Sequence, residues 1–148
     1  KDEMGLANSR ARMRMMCLYQ ISASTKGIVV GTGNKIEDFG VGFFTKYGDG
    51  GVDISPIADC TKTQVWDMAR ELKILDEIIN AEPTDGLWND GRKDIDQLGM
   101  SYSKIEYLMN NPTEPDYQKY LKLRKKNLHK MKSIPVCKFN GKANLADD

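Results

Sequence analysis

The chain has 148 residues, of which 40% are hydrophobic, 29% charged and 8% aromatic, too apolar a mix for a disordered chain and too charged for an integral membrane protein. Lysine and arginine (22) nearly cancel aspartate and glutamate (21), and the formal charge of +1 argues against a strongly basic nucleic-acid binder. The longest apolar run, Met15 to Tyr19, falls far short of the roughly 20 residues that span a bilayer.

The first predicted element is a helix from Leu6 to about Ser24, uninterrupted by proline or glycine and stopped by Lys26-Gly27. Arg10, Arg12 and Arg14 recur two apart and fan around it. Ile28-Val29-Val30 follows, an apolar β-branched run suited to a strand buried on both faces of a parallel sheet. It ends in Gly31-Thr32-Gly33-Asn34, a turn at the strand end where open α/β sheets place ligands. Asn34 to Asp53 then holds five of the 13 glycines, a density accepted where backbone turns sharply or approaches a ligand. A candidate second strand runs from Gly51 to Ser55.

A helix opened by Asp59 or Thr61, with capping-box spacing from Thr61 to Gln64, carries Val65, Met68, Ala69 and Leu72 on one face. Ile74-Leu75 and Ile78-Ile79 make a short helix ended by Pro83, and Thr84 to Lys93 reads as a polar loop. Helices are expected from Asp94 to about Met109 and from Asp116 to about Met131, separated by Asn110-Asn111-Pro112, with a frayed tail over 141–148. So few strands cannot build a parallel sheet. Either the fold is mainly helical or its sheet partners lie outside this chain. Three cysteines without CxxC spacing and a single histidine argue against a disulfide scaffold, a structural zinc site and a histidine-rich metal centre. With no apolar stretch after the charged Lys1-Asp2-Glu3, a reducing cytoplasm is the expected compartment.

Several residues suit ligand chemistry, and each has a plainer reading beside it. Thr32 and the turn N–H groups suit a phosphate or a purine edge, or simply form a tight turn. Glu37 is a candidate Mg²⁺ ligand, or a glutamate favoured by a helix dipole. Lys46, Asp49 and Asp53 are ligand contacts on glycine-rich backbone, or solvated loop charges. Lys62 opens a helix, where a cation opposes the dipole and an anionic ligand would offset it. Thr84, Asp85, Trp88, Asp94 and Asp96 form an acidic loop or a bland surface. The lysines and Arg124 between Lys119 and Lys132 suit nucleic-acid or phosphate binding, or form a solvated basic face, beside the single histidine, His129, a candidate ligand contact or an ordinary exposed side chain.

Joined in order, NSRARMRM (Asn8 to Met15), VVGTGNKIED (Val29 to Asp38), GFFTKYGDGGVD (Gly42 to Asp53), PIADCTKTQV (Pro56 to Val65), PTDGLW (Pro83 to Trp88), DIDQLG (Asp94 to Gly99) and LHKMKSIP (Leu128 to Pro135) resemble the ammonia-dependent NAD synthetases, amidating members of the N-type ATP pyrophosphatases. The resemblance implies an α/β fold, a Rossmann-like parallel sheet flanked by helices. Residues 1–140 would be the helix-rich C-terminal part of a single synthetase domain, with one or two of its strands.

The implied reaction is the ATP- and Mg²⁺-dependent activation of the nicotinate carboxylate of deamido-NAD as an adenylate, releasing pyrophosphate. Ammonia then attacks to give NAD and AMP, with no side-chain nucleophile required. Carried over by motif, Thr32, Lys62 and Thr84 are implied ATP contacts, with Lys62 near the phosphates, and Glu37 an implied Mg²⁺ ligand. Arg12, Lys46, Asp53, His129 and Lys130 are implied deamido-NAD contacts, with Asn8, Tyr19 and Asp49 assisting. The implied partners are a second copy of the protein and its own N-terminal half, with neither nucleic acid nor membrane.

The sequence departs from the family pattern at Met4, where some members have an aromatic, at Ile95, where a glutamate is common, and at Cys60, where leucine is usual. It also contains no SGGxDS phosphate loop. Two other readings follow from that absence and from the shared chemistry. The chain is then an inert binding or dimerising unit, or part of a synthetase that amidates a different carboxylate.

Overall fold

The computed structural model describes residues 2–137 and 143–144. Helix α1 (Glu3–Thr25) begins where the Asp2 carboxylate accepts a hydrogen bond from the Gly5 N–H at 2.8 Å, an N-cap worth about 1 kcal/mol. It ends at Thr25, at the expected Lys26-Gly27 stop. Lys26 itself takes the left-handed conformation at φ 55°, and its N–H returns to the Ser22 carbonyl. Only Ala7 and Ala11 of this helix are buried, while Leu6, Met13, Met16, Leu18 and Ile21 are all more than half exposed.

The expected sheet is not present among the described residues. Val30 and Ile54 form a single parallel bridge, supported by Gly31 N–H to the Ile54 carbonyl (2.7 Å) and Asp53 N–H to the Val29 carbonyl (2.9 Å). Val29 is buried, but Ile28 and Val30 are 60% and 51% exposed, so the strand buried on both faces is corrected to one half-open bridge. The physical reason is that two extended segments with no third strand lack the stacked apolar area that sustains a sheet. Among the described residues the one ladder is antiparallel, pairing β1 (Val136–Cys137) with β2 (Ala143–Asn144). Two residues of the supposedly frayed tail thus sit in a strand, and its other residues lie outside those described.

The core is helical instead. Ile36, Val41, Leu98, Tyr102, Ile105, Leu108 and Tyr120 form its buried cluster. Ile36 and Val41 belong to a π-helical segment, Ile36–Val41, which neither the apolar spacing nor the glycines foretell. Its wide turn survives because side chains from elsewhere satisfy both ends. The side-chain Oδ1 of the buried Asn34 accepts the N–H groups of Ile36 (2.9 Å) and Glu37 (3.2 Å). At the other end Arg124 donates to the carbonyls of Phe39 and Gly40, and Asn127 to that of Val41 at 2.9 Å. Gly42 follows at φ 65°, where a Cβ would also lie 2.7 Å from the Asn127 Cβ.

Helix α2 (Lys62–Glu71) opens on the full Thr61–Gln64 capping box, and α3 (Asp76–Ile79) is a single turn that closes at Asn80 rather than at Pro83. The single helix expected from Asp94 to Met109 is two. Gly99 at φ 68° closes α4 (Asp94–Leu98), and Ser101 caps α5 (Tyr102–Asn110) by accepting from Lys104 N–H. Helix α6 (Tyr117–Met131) completes the core against α5 and the π-helical segment.

Candidate functional site

Two cavities adjoin across a common wall made of Phe43, Asp49, Asp85 and Leu87. The first, about 460 Å³, lies between α1, the Gly31-Thr32 turn and the loop after Pro83, and is lined by Thr32, Glu37, Lys62 and Thr84. The second, about 420 Å³, lies between α1, the Phe43–Lys46 segment and α6, and is lined by Asn8, Arg12, Lys46, Asp49, His129 and Lys130. The residues implied as ATP contacts and as Mg²⁺ ligand therefore share one cavity, and most of those implied for deamido-NAD share the other.

Tyr19 and Asp53 line neither cavity. The Tyr19 hydroxyl donates to Asp53 Oδ1 at 3.2 Å, and Asp53 Oδ2 accepts the Val29 N–H at 2.7 Å, so this pair fastens α1 to the parallel bridge.

The π-helical segment aims Glu37 into the first cavity. Glu37 Oε1 pairs with Lys62 Nζ at 3.3 Å, both side chains being largely buried, and Oε2 accepts the Asn34 N–H at 3.2 Å. The clash between the Lys62 cation and its helix dipole is thus met partly by Glu37. It is also met by Glu106, whose carboxylate accepts the Thr63 N–H (2.9 Å) and hydroxyl (2.7 Å) at the same helix start.

Motif reading did not single out Tyr102, and assigned no role to Asp94 beyond the acidic loop. The Tyr102 hydroxyl lies 2.8 Å from Glu37 Oε1 and 2.7 Å from Asp94 Oδ2. The hydroxyl is the donor to both, so its one proton is shared between two carboxylates. Burial, then the nearby Glu37 and Asp85 charges, push the Asp94 pKa upward, against the pull of the Tyr102 contact and Lys62. Burial and the Glu37 charge likewise hold the Tyr102 phenol well above its ordinary range. Asp94 Oδ1 is buried without a hydrogen-bond partner, which a neutral acid tolerates far better than a carboxylate. The sequence signal for the pair is faint, an Asp–x–Asp helix start followed eight residues on by a core tyrosine.

In the second cavity two lysines are held by backbone. Lys46 Nζ donates to the His129 carbonyl (3.1 Å) and Lys130 Nζ to the Phe44 carbonyl (2.6 Å). Burial lowers the Lys130 pKa, and its neighbour Lys126 adds to that while Asp49 opposes it. Asp49 Oδ1 accepts the Thr45 N–H at 2.9 Å, and desolvation raises its own pKa against that bond and the Lys130 charge. Thr45 in turn donates to Asn8 Oδ1 at 2.8 Å, and Arg12 donates to the Lys46 carbonyl at 3.2 Å.

The loop over both cavities is tied down by Asp85, which accepts from Leu87 N–H, Trp88 Nε1 and Gln97 Nε2. Arg10 and Arg14, one helical turn apart, reach the carbonyls of Leu87 and Gly86 at 2.5 and 3.1 Å.

No three His, Cys, Asp or Glu side chains converge as a metal site among the described residues. A cation beside Glu37 would therefore draw on one carboxylate together with phosphate oxygens and water, the habit of Mg²⁺. No helix among the described residues is long and apolar enough to cross a membrane.

Residues 1–143 match the NAD synthase family. The chain is 40% identical over 136 residues to the NH(3)-dependent NAD(+) synthetase of Thermoplasma volcanium, covering 87% of this chain and 55% of that protein. It is also 40% identical over 136 residues to the enzyme of the same name from Carboxydothermus hydrogenoformans, covering 90% of this chain and 55% of the other. Among solved structures, the NMN synthetase of Francisella tularensis superposes with a TM-score of 0.85 at 31% identity, over 94% of this chain and 58% of that one. The NH3-dependent NAD synthetase of Campylobacter jejuni does so with a TM-score of 0.66 at 25% identity, over 93% and 57%. The chain spans about half the length of the curated relatives it matches.

Proposed function

The chain belongs to the NAD synthase family, and from that premise we propose that it carries the ATP and deamido-NAD cavities of an ammonia-dependent ligase that converts deamido-NAD to NAD. The observation that supports this reading most is the pair of adjoining cavities. Thr32, Lys62 and Thr84 face one, Arg12, Lys46, His129 and Lys130 face the other, and a common wall brings the two ligands together.

A carboxylate is a poor acyl donor until its oxygen becomes a good leaving group. In the proposed first step a nicotinate oxygen attacks the α-phosphorus of ATP, and the bond to the bridging oxygen breaks to release pyrophosphate. Lys62 offsets the charge gathering on the phosphates, and Glu37 is the carboxylate that would hold Mg²⁺, which supplies further charge neutralisation there. In the second step the lone pair of ammonia attacks the acyl carbon, AMP leaves, and the nitrogen loses a proton. Asp49 and Asp85, common to both cavities, give that junction the negative charge that attracts ammonium. The protein's task is to hold two anionic nucleotides in register, which is where effective concentration does most of the catalysis.

We place the rest of the ATP phosphate surface on residues outside these 148, in the N-terminal half of the same protein. We also place the active assembly as a homodimer in the cytoplasm, where thiols such as Cys17 and Cys60 stay reduced. Incubating the intact protein with ATP, Mg²⁺, deamido-NAD and ammonium is expected to yield NAD, pyrophosphate and AMP, and absence of all three products would sink the reading. The isolated 148-residue chain is expected to show no pyrophosphate release, which measurable turnover by it would refute.

A second reading draws on the likeness to an NMN synthetase. The acid would then be nicotinate mononucleotide, which shares the pyridine carboxylate and one phosphate. Comparing kcat/KM for the two acids separates the readings, and a preference for the mononucleotide favours the second.

A further inference from the structure

The Tyr102 hydroxyl is the closest donor to the Glu37 carboxylate, yet Tyr102 stands on a different helix from every residue assigned to a ligand above. A carboxylate offers four lone-pair positions. On Glu37, Oε1 receives the Tyr102 hydroxyl at 2.8 Å and Lys62 Nζ at 3.3 Å, and Oε2 receives the Asn34 N–H at 3.2 Å. One position is left, on Oε2.

We propose that Tyr102 is a positioning residue for the cation-binding carboxylate of the first cavity: its phenol, steadied by Asp94, occupies Oε1 of Glu37 and leaves Oε2 to meet a divalent cation arriving with nucleotide phosphates. The inference rests on the reading of Glu37 as a Mg²⁺ ligand.

Lys62 cannot do this work alone. Its ammonium sits on a four-carbon tether, and phosphates entering the cavity compete with Glu37 for its charge. The Tyr102 ring has no such freedom, being 6% exposed within the core cluster, with Lys62 Nζ 4.9 Å above its centroid. Rotation about the C–O bond is the phenol's remaining freedom, and Asp94 Oδ2 at 2.7 Å restricts it. Asp94 is itself fixed, because it opens α4 and its N–H donates to the Pro83 carbonyl at 3.0 Å. The backbone next to Thr84 is thus connected through Asp94 and Tyr102 to Glu37, with Thr84, Asp94 and Glu37 on the wall of one cavity and Tyr102 in the core between the two carboxylates.

The test uses Mn²⁺ as a spin probe, bound to the intact protein with a non-hydrolysable ATP analogue and read by electron paramagnetic resonance. Loss of a hydrogen bond to a charged group predicts that Tyr102→Phe binds Mn²⁺ about tenfold more weakly while keeping its thermal transition. The Mg²⁺ concentration for half-maximal pyrophosphate release should rise in step, with KM for the acid substrate unchanged. Asp94→Ala should weaken Mn²⁺ in the same direction, which keeps the proposal testable if the phenylalanine variant does not fold. Tyr107→Phe, which removes an exposed hydroxyl bonded to Glu114, should leave Mn²⁺ binding as it was. Unchanged Mn²⁺ affinity in Tyr102→Phe, with binding lost in Glu37→Gln, overturns the proposal and spares the role of Glu37. Unchanged affinity in Glu37→Gln removes the reading of Glu37 as ligand, and the positioning role with it.

Discussion

Asp38, next to Glu37 on the π-helical segment, shows how one carboxyl links the site to stability. Its side chain lies against Gly33, where a Cβ would collide with the carboxyl group. Burial, then the charges of Glu37 and Asp49, raise its pKa from 3.8 to about 6. Between those values the folded chain holds a proton that the unfolded chain has released. The stability this proton confers is full below pH 3.8 and is lost as pH rises through 6. Asp38→Asn should therefore be more stable than the parent at pH 7, with the gap closing towards pH 4. Melting curves of the two proteins across that range check it, and parallel profiles would refute it. Asp94 provides a second case at this scale. The isosteric Asp94→Asn keeps an oxygen that can accept from the Tyr102 hydroxyl and should keep Mn²⁺ affinity close to the parent's, whereas Asp94→Ala should not.

Element boundaries divide into those that local chemistry announces and those it does not. The Thr61–Gln64 box is written in two side chains three residues apart, and both of its bonds form. Gly99 divides a helix that its apolar spacing would carry through, because a left-handed φ of 68° ends the hydrogen-bond run and Ser101 restarts it. The π-helical segment has no local signature at all. Its wide turn depends on Asn34, Arg124 and Asn127, two of them more than 80 residues away. Two glycine substitutions separate local from tertiary constraint. Gly99→Ala meets only the left-handed backbone penalty, with nothing within 4 Å, and should cost about 1 kcal/mol. Gly42→Ala adds a collision with α6 to the same penalty and should cost about 1–3 kcal/mol more. Denaturant midpoints that rank the two the other way would contradict this account.

At the scale of the whole molecule, the core gathers around α5, α6 and the π-helical segment, while α1 keeps its large apolar side chains in solvent. Beside Leu6, Met13, Met16, Leu18 and Ile21 of that helix, Ile28 and the bridge residues Val30 and Ile54 are also exposed. Apolar surface of that extent drives association in water. The isolated chain is expected to sediment as species larger than a monomer, and charged substitutions at Met16 and Ile21 should shift it towards the monomer. A strictly monomeric parent chain across micromolar concentrations would refute the expectation.

The family motifs were legible without any structure because each is a short run of residue types in a fixed order, which is what a sequence records. The caps of α2 and the aromatic-glycine stretch before Asp53 were legible for a similar reason, since each is a short-range pattern. Tertiary structure alone decided that Glu37 rides on a π-helical turn, that the Tyr102 hydroxyl lies between it and Asp94, and that Tyr19 and Asp53 bond to each other between α1 and the parallel bridge. It also decided that the expected strands meet in a single bridge. Each of these depends on groups distant in sequence meeting in space, and on whether enough apolar neighbours are present to bury a strand. Neither condition leaves a mark at fixed spacing along the chain.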